Sequence, residues 1–388
     1  MCSVSTFSYL LFYALFTVLI NAQCTNPTVR REWRTLDRDG RAAWISAVKC
    51  LAASPHNPDL VATVNSSISQ IPALTRRLPS GTVDISYIHM DLNVRIHQTG
   101  MFLPFHRWFV HSVEQAMVEK YGFSGGFPYW NWTIDAPDFY KSSWWQDSDT
   151  ESGLGGWGDP DKDYEVQDGA FAGFALANPS YHPMRYQYTA QPFAAFAASS
   201  PTIAQFFNST MLETYANSTF HADQIAAIIA GNPSDLVNFQ LSPDNWIVNA
   251  VIRYPSYPDL REIFFFQCAH GSVHAITGRD LAGTCPATTE DCIPGNKWWP
   301  NSPLFFLHHV MIGKIWSDWQ NLNETSTTAF AGGSVQAFDN TTYFAEYPTR
   351  APPMLNTSSD IYTDNMFPGA TIGDVSNHTT GYLCYVYE

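Results

Sequence analysis

The sequence predicts a single loop-rich domain whose ordered core is helical. Three observations lead there. Three segments repeat apolar residues at three- and four-residue steps, as one face of an α-helix does. No internal repeat and no long low-complexity linker divides the 388 residues. Hydrophobic residues make up 45% and charged residues 14% of the chain, a balance that fits a buried core rather than a disordered chain.

The first helix is expected over residues 104–121, where Phe105, Trp108, Phe109, Val113, Ala116 and Met117 carry the stripe. Pro104 suits a first turn, whose N–H groups have no helical partner, and Gly122 suits a stop. The second is expected over about residues 259–275. It is apolar almost all round from Ile263 to Phe266, the pattern of a buried helix. The third is expected over residues 303–320, with Ser302 as its N-cap and Pro303 in the first turn. Between the first two, residues 142–163 are rich in Asp, Gly and Ser and read as an exposed loop. Asp159 to Asp163 resembles the start of a calcium loop. However, Tyr164 stands where the sharp turn needs Gly, and Ala170 where a bidentate Glu belongs, so a solvated acidic loop is the reading. After Gln320 the chain is again loop-like.

The start of the chain, its cysteines and its Asn-x-Ser/Thr sites point to export. Residues 9–20 form an apolar or weakly polar run too short to span a bilayer, followed by Ile20-Asn21-Ala22, a small-residue cleavage site. A leader over 1–22 and one domain over 23–388 are therefore expected. Removing the leader leaves Cys24, Cys50, Cys268, Cys285, Cys292 and Cys384, an even set that an oxidising compartment would pair. Cys285 and Cys292 are close enough to staple one loop; the other pairings stay open. Eight Asn-x-Ser/Thr sites between Asn65 and Asn377 fit the same route. Asn131 among them lies in an aromatic run that reads as buried. With 20 Lys+Arg against 35 Asp+Glu, net −15, a nucleic-acid partner is excluded, because phosphate backbones are held by Lys and Arg. No stable membrane association is expected once the leader is removed.

The twelve histidines carry the chemistry. His270 and His274 are four residues apart on the second helix, so both rings leave one face, a two-ligand metal platform. His309 shares the third helix's stripe with Phe305, Ile312 and Trp316, where a buried imidazole needs a partner: either a backbone carbonyl or a metal ion shared with His270 and His274. His308 is turned by about 100° from His309, so the two cannot serve one metal in the same way. His89, His97 and His106, each flanked by apolar residues, form a second trio. Two groups of neutral imidazoles suit copper, zinc, iron or nickel. Without a fixed anionic ligand they leave room for an oxygen species between two ions.

The segment from His97-Gln98-Thr99-Gly100 to Phe105-His106-Arg107, with Pro128-Tyr129-Trp130 and the segment from Ser302-Pro303 to His308-His309, closely resembles the type-3 copper family of tyrosinases, catechol oxidases and haemocyanins. Arg30 to Arg34 near the start and Tyr385-Val386-Tyr387 near the end extend the resemblance to secreted fungal members. It implies a mainly α fold, a four-helix bundle holding two copper ions, with long loops and little β structure. It also implies His89, His97 and His106 as ligands of one copper, His270, His274 and His309 of the other, and Phe305 beside the substrate ring. Dioxygen would be the co-substrate, oxidising an ortho-diphenol or ortho-aminophenol to a quinone. Gly271 stands where members that hydroxylate monophenols often carry Asn, so that activity is expected to be weak. Gln267 is the nearest candidate for the family's water-holding acid. Gly313 and Asn131 stand where the family places carboxylates, whose loss costs about 10–100-fold in metal affinity or activity. The end after the tyrosine motif implies no C-terminal shielding domain. A non-catalytic dioxygen or copper binder, as haemocyanins are, and a specialised oxidase of tyrosine in a secreted peptide or metabolite are the alternatives.

Overall fold

Gly122 ends the longest helix where the sequence places a stop: its φ is 68° and its N–H donates back to the carbonyls of Met117 and Val118. A side chain is disfavoured in that left-handed conformation, and Gly carries none. The computed structural model describes residues 24–64, 81–97, 99–199, 209–231, 269–289, 292, 294–335 and 351–388. The expected leader, Gln267 and the first part of the second expected helix lie outside the described residues.

The fold is mainly α with little β structure. Helices α1 (Arg38–Ala52), α2 (Gly81–Ile96), α3 (Phe102–Tyr121), α4 (Ala269–Thr277) and α5 (Leu304–Gln320) frame it, and α2 to α5 supply the core in which the histidines meet. α3 packs on α5, and α1 lies against α2 and α3. Asp37 caps α1, its carboxylate accepting from the Gly40 N–H at 2.7 Å. Trp44, Trp108, Trp130, Trp132, Trp299, Trp316 and Trp319 are all fully buried, a large apolar area for a chain with few charges.

Two expectations are corrected. Ser302 does not cap α5 with its side chain: the N-cap is Pro303, with no side-chain cap bond. Ser302 is extended between the 3-10 helix Asn296–Asn301 and Pro303, whose own backbone is already helical. The Ser302 hydroxyl turns inward instead, 2.8 Å from Tyr186 Oη. Residues 142–163 are not simply an exposed loop. A 3-10 turn, Ser143–Gln146, buries Trp144 and Trp145, which stack on Trp130 at 4.5 Å and Trp157 at 3.9 Å. Aromatic burial outweighs the local Asp and Gly content. Even Asp163 is tied in, 2.7 Å from Arg185 and 3.3 Å from Arg279.

Among the described residues the strands are β1 (Thr28–Arg30), β2 (Ala175–Leu176), β3 (His182–Pro183), β4 (Gly333–Val335), β5 (Ala351–Met354) and β6 (Tyr385–Tyr387), paired two by two. β1 and β6 run parallel, Thr28 opposite Tyr385 and Arg30 opposite Tyr387, and Cys24 is bonded to Cys384 beside them. Arg30 lies 3.5 Å over the Tyr385 ring and pairs with Glu114 of α3. The two ends thus clasp the helix that carries His106. Cys285–Cys292 is the expected short staple, and Cys50 is also disulfide-bonded. No helix among the described residues is long and apolar enough to cross a membrane.

Candidate metal centre

His89 lies on α2, His97 follows its last residue, and His106 sits one turn into α3. The turn between the two helices depends on Gly100: a Cβ there would lie 2.9 Å from the backbone of Gly332, whose neighbour Gly333 accepts the Gly100 N–H at 2.9 Å. Ring centroids are 4.8 Å apart for His89 and His97, 5.6 Å for His89 and His106, and 5.1 Å for His97 and His106. The structure therefore brings the first expected trio together.

His270 and His274 leave one face of α4, 4.9 Å apart, and His309 of α5 comes within 4.9 Å of His270. His308 joins the same group. Distance alone admits all four, since their nitrogens lie within 4.8 Å of one another. Ring orientation toward His270 separates them, although His308 meets His274 and His309 edge-on at 87° and 76°. His308 stacks on His270 with planes 9° apart, and an imidazole lone pair lies in its ring plane, so stacked parallel rings cannot aim at one ion. His309 and His274 meet His270 at 74° and 85°, which lets their lone pairs converge. The helical offset expected to separate the neighbours therefore shows as orientation, while both rings stay within the group.

The two groups adjoin: His106 stacks on His309 at 4.4 Å. Every one of these rings is at most 2% exposed. Burial pushes His97 down to about 4 and His308 to about 3. Burial, with neighbouring imidazoles adding, holds His89, His106, His270, His274 and His309 well below the usual range. All are neutral near pH 7.

Four rings have one nitrogen committed. The Nδ1–H of His89 donates to the Lys297 carbonyl at 3.3 Å, His97 to Asn93 at 3.2 Å, His106 to Phe102 at 2.8 Å and His274 to Leu281 at 2.7 Å. A carbonyl only accepts, so each bond fixes the tautomer and leaves Nε2 as a lone pair. The Nε2 atoms of His89 and His106 are buried without a hydrogen-bond partner, which in a native interior calls for an explanation. His270 and His309 face each other Nε2 to Nε2 at 3.3 Å, about the spacing of two nitrogens held about 2.0 Å from one ion. The donor set fits two metal ions. Among the described residues, neither group contains Asp, Glu or Cys.

Aromatic rings wall the centre. Phe305 lies 4.1 Å from His309 and 5.3 Å edge-on to His89, so its ring reaches both groups. Phe102 and Trp299 were not singled out from sequence. Phe102 touches His106 at 4.6 Å and His270 at 4.9 Å, and Trp299 stacks on His274 at 3.7 Å. Phe102 was findable, four residues before His106 on one helical face; the Trp298-Trp299 pair gave no spacing signal.

The missing carboxylates have substitutes. Asp135, buried four residues after Asn131, accepts from Trp130 Nε1 at 2.7 Å and Arg34 at 2.7 Å. Asn131 is half-buried and accepts from Thr133 Oγ1 at 2.7 Å. At Gly313 a Cβ would lie 2.7 Å from Tyr387 Oη, so the tyrosine takes the space. Arg107, beside His106 and buried, donates to Gln320 Oε1 at 3.0 Å and to the carbonyls of Val375, Ser376 and Gly313 at 3.0–3.4 Å. It also lies 3.5 Å over Trp316. Among the described residues it has no carboxylate partner, and burial lowers its pKa.

A family model described as the common central domain of tyrosinase matches residues 79–322 of the 388, a span that holds all six expected ligands. Tyrosinase P of Aspergillus terreus is 25% identical over 397 residues, covering 94% of this chain and 93% of that protein. The N-acetyl-6-hydroxytryptophan oxidase ivoB of Emericella nidulans is 27% identical over 401 residues, covering 94% of each. Among solved structures, a polyphenol oxidase variant from Thermothelomyces thermophila superposes with a TM-score of 0.60 at 22% identity, over 93% of this chain and 89% of that one, a likeness of fold. Two groups of buried neutral histidines on helices in the matched span, and that match over well over half of the sequence, make this chain a member of the tyrosinase family of binuclear copper oxidoreductases.

Proposed function

We propose that the protein is a secreted oxidase that converts ortho-diphenols to ortho-quinones or ortho-aminophenols to ortho-quinone imines, with weak hydroxylation of monophenols. His89, His97 and His106 hold one copper, and His270, His274 and His309 the other. The observation that carries the reading is the set of six neutral, buried imidazoles in two adjoining groups without an anionic ligand. When bound, the copper pair supplies two one-electron centres through which dioxygen is reduced. In balance, two ortho-diphenols and one dioxygen give two quinones and two waters.

The chain's own residues do the positioning. Backbone carbonyls lock the tautomers of His89, His97, His106 and His274, so no proton has to leave those rings when metal binds. Phe305 offers a flat apolar wall to a substrate ring held between the two groups. Gly271, next to His270, presents no side chain that could steer a monophenol, and the described part of each group holds no acid to take its proton. The Cys24–Cys384 and Cys285–Cys292 disulfides support an oxidising, extracellular setting. A second reading, an oxidase of a larger hydroxylated aromatic metabolite, is favoured by the relative named for N-acetyl-6-hydroxytryptophan oxidation.

The test is copper content per chain with oxidation rates for catechol and tyrosine. Two coppers, rapid catechol oxidation and slow tyrosine turnover with a lag are expected. Equal, lag-free turnover of tyrosine would overturn the diphenol assignment. Reversible oxygenation without quinone would show a carrier.

A further inference from the structure

We propose that Trp299 is a positioning residue for the second metal group and sets how much of the His274 ring face a substrate can reach. The inference rests on the metal-ligand reading of His89 and His274. Trp299 belongs to the 3-10 helix Asn296–Asn301, a strap that meets ligands of both groups. Its Lys297 carbonyl accepts the His89 Nδ1–H at 3.3 Å. Its Trp299 indole stacks on His274 at 3.7 Å with planes 18° apart, and lies edge-on to His97 at 5.9 Å and His270 at 5.6 Å.

The strap is held on its approach. Gly283 has a left-handed φ of 69°, and a Cβ there would collide with the Gly295 carbonyl and lie 3.3 Å from Trp299 Cδ1. The Gly295 N–H donates to the Gly283 carbonyl at 3.1 Å, and Cys285–Cys292 closes the loop between them. Buried Arg185 donates to the carbonyls of Thr284 at 2.7 Å and Cys285 at 3.4 Å. The indole is thereby fixed against the imidazole before any ligand arrives.

Two of the restraints on His274 set its ring plane. The Leu281 carbonyl holds Nδ1–H at 2.7 Å, and the indole face blocks rotation of the ring out of its plane. Removing the indole takes away the flat stacking contact that fixes the tilt of the ring, so its lone pair points at the metal less of the time. It also uncovers a ring face on which a planar substrate can lie.

The experiment loads wild type, Trp299→Ala and Trp299→Phe with copper. It measures copper loss to a chelator, and KM for catechol against KM for 2,3-dihydroxynaphthalene. Trp299→Ala is expected to release one of its two coppers about 10-fold faster, the usual loss when a group orienting a ligand is removed. Its KM for the bicyclic diphenol should fall relative to catechol, and Trp299→Phe should restore most of both. Should Trp299→Ala not fold, Trp299→Leu, which keeps apolar bulk but offers no flat face, is expected to speed copper release in the same direction. Wild-type release rates and an unchanged KM ratio in the folded variant overturn the role of Trp299. A wild type that binds fewer than two coppers would instead overturn the reading of the site, so the two failures are distinguishable.

Discussion

A neutral imidazole offers a metal one lone pair only when its other nitrogen carries the proton, and the tautomer is decided by what that nitrogen meets. At His89, His97, His106 and His274 it meets a backbone carbonyl, so the ligand end is chosen by the fold rather than by the metal. The adjacent His308 and His309 show the complementary control, by orientation. His308 lies flat against His270 with planes 9° apart, whereas His309 meets it at 74°. Replacing His274 or His309 by Gln should therefore leave about one copper per chain in place of two, while His308→Gln keeps two. Metal analysis after gel filtration decides this; loss of copper from His308→Gln would move the ligand role to that ring.

Helix α5 shows how one element accommodates a departure from the family pattern. Glycine inside a helix costs about 1 kcal/mol relative to alanine, so Gly313→Ala gains that much from the backbone. The added Cβ would lie 2.7 Å from Tyr387 Oη, and overpacking of this kind costs about 1–3 kcal/mol. The clash should win: Gly313→Ala is expected to lower stability by about 1 kcal/mol. In a Tyr387→Phe background the hydroxyl is gone, and the same change should raise stability by up to about 1 kcal/mol. A double-mutant cycle in denaturant measures the reversal; equal effects in both backgrounds would mean that Tyr387 does not fill this space. The sequence foretold α3 and α5 because Pro104, Gly122 and Pro303 punctuate them. It hid α2, whose Asp84 and Asp91 interrupt the apolar pattern. Those carboxylates are inside the protein, accepting from Asn57 N–H at 2.6 Å and from the Thr63 and Val64 N–H groups at 2.9 and 2.8 Å. The gathering of His89, His97 and His106 in one group and of His270, His274 and His309 in another was legible because spacing and paired motifs mark them; the presence of His308 in the second group was not. Trp299 was not, because only the tertiary path of the strap brings it over His274.

At the scale of the whole molecule, the chain is closed by a covalent bond between its two described ends and is sensitive to acid within. Cys24 and Cys384 are 360 residues apart, against 7 for Cys285 and Cys292. Loop-closure entropy then assigns about 6 kcal/mol to the first disulfide and about 2 kcal/mol to the second. Replacing Cys24 and Cys384 by Ser should lower stability several-fold more in kcal/mol than replacing the short staple, as chemical denaturation will show; equal losses would mean that β1–β6 pairing already holds the ends. Acid acts through the buried imidazoles. Burial holds His111 at about 4 in the fold, against about 6.5 in the unfolded chain. Between those values the unfolded chain takes up a proton that the folded chain refuses, so stability rises with pH, by about 1.4 kcal/mol per unit for one such group. Its contribution is complete above about pH 6.5, is lost as pH falls, and stops changing below about pH 4, where both states are protonated. His378, also held at about 4 by burial, adds to this slope. Asp84, Asp135 and Asp364, whose pKa values burial raises, act against it. A single substitution separates the histidine part from that background. His111 packs against Tyr382 and Tyr385 rather than toward the metal centre, so His111→Phe keeps a ring in an aromatic site; it removes the titration together with a hydrogen bond to the Tyr382 backbone, a loss that shifts the whole curve. Metal-free His111→Phe should lose less stability than wild type between pH 6.5 and 4, the two curves diverging by about 1.4 kcal/mol per unit. Parallel curves over that range would show that His111 takes up its proton equally in both states.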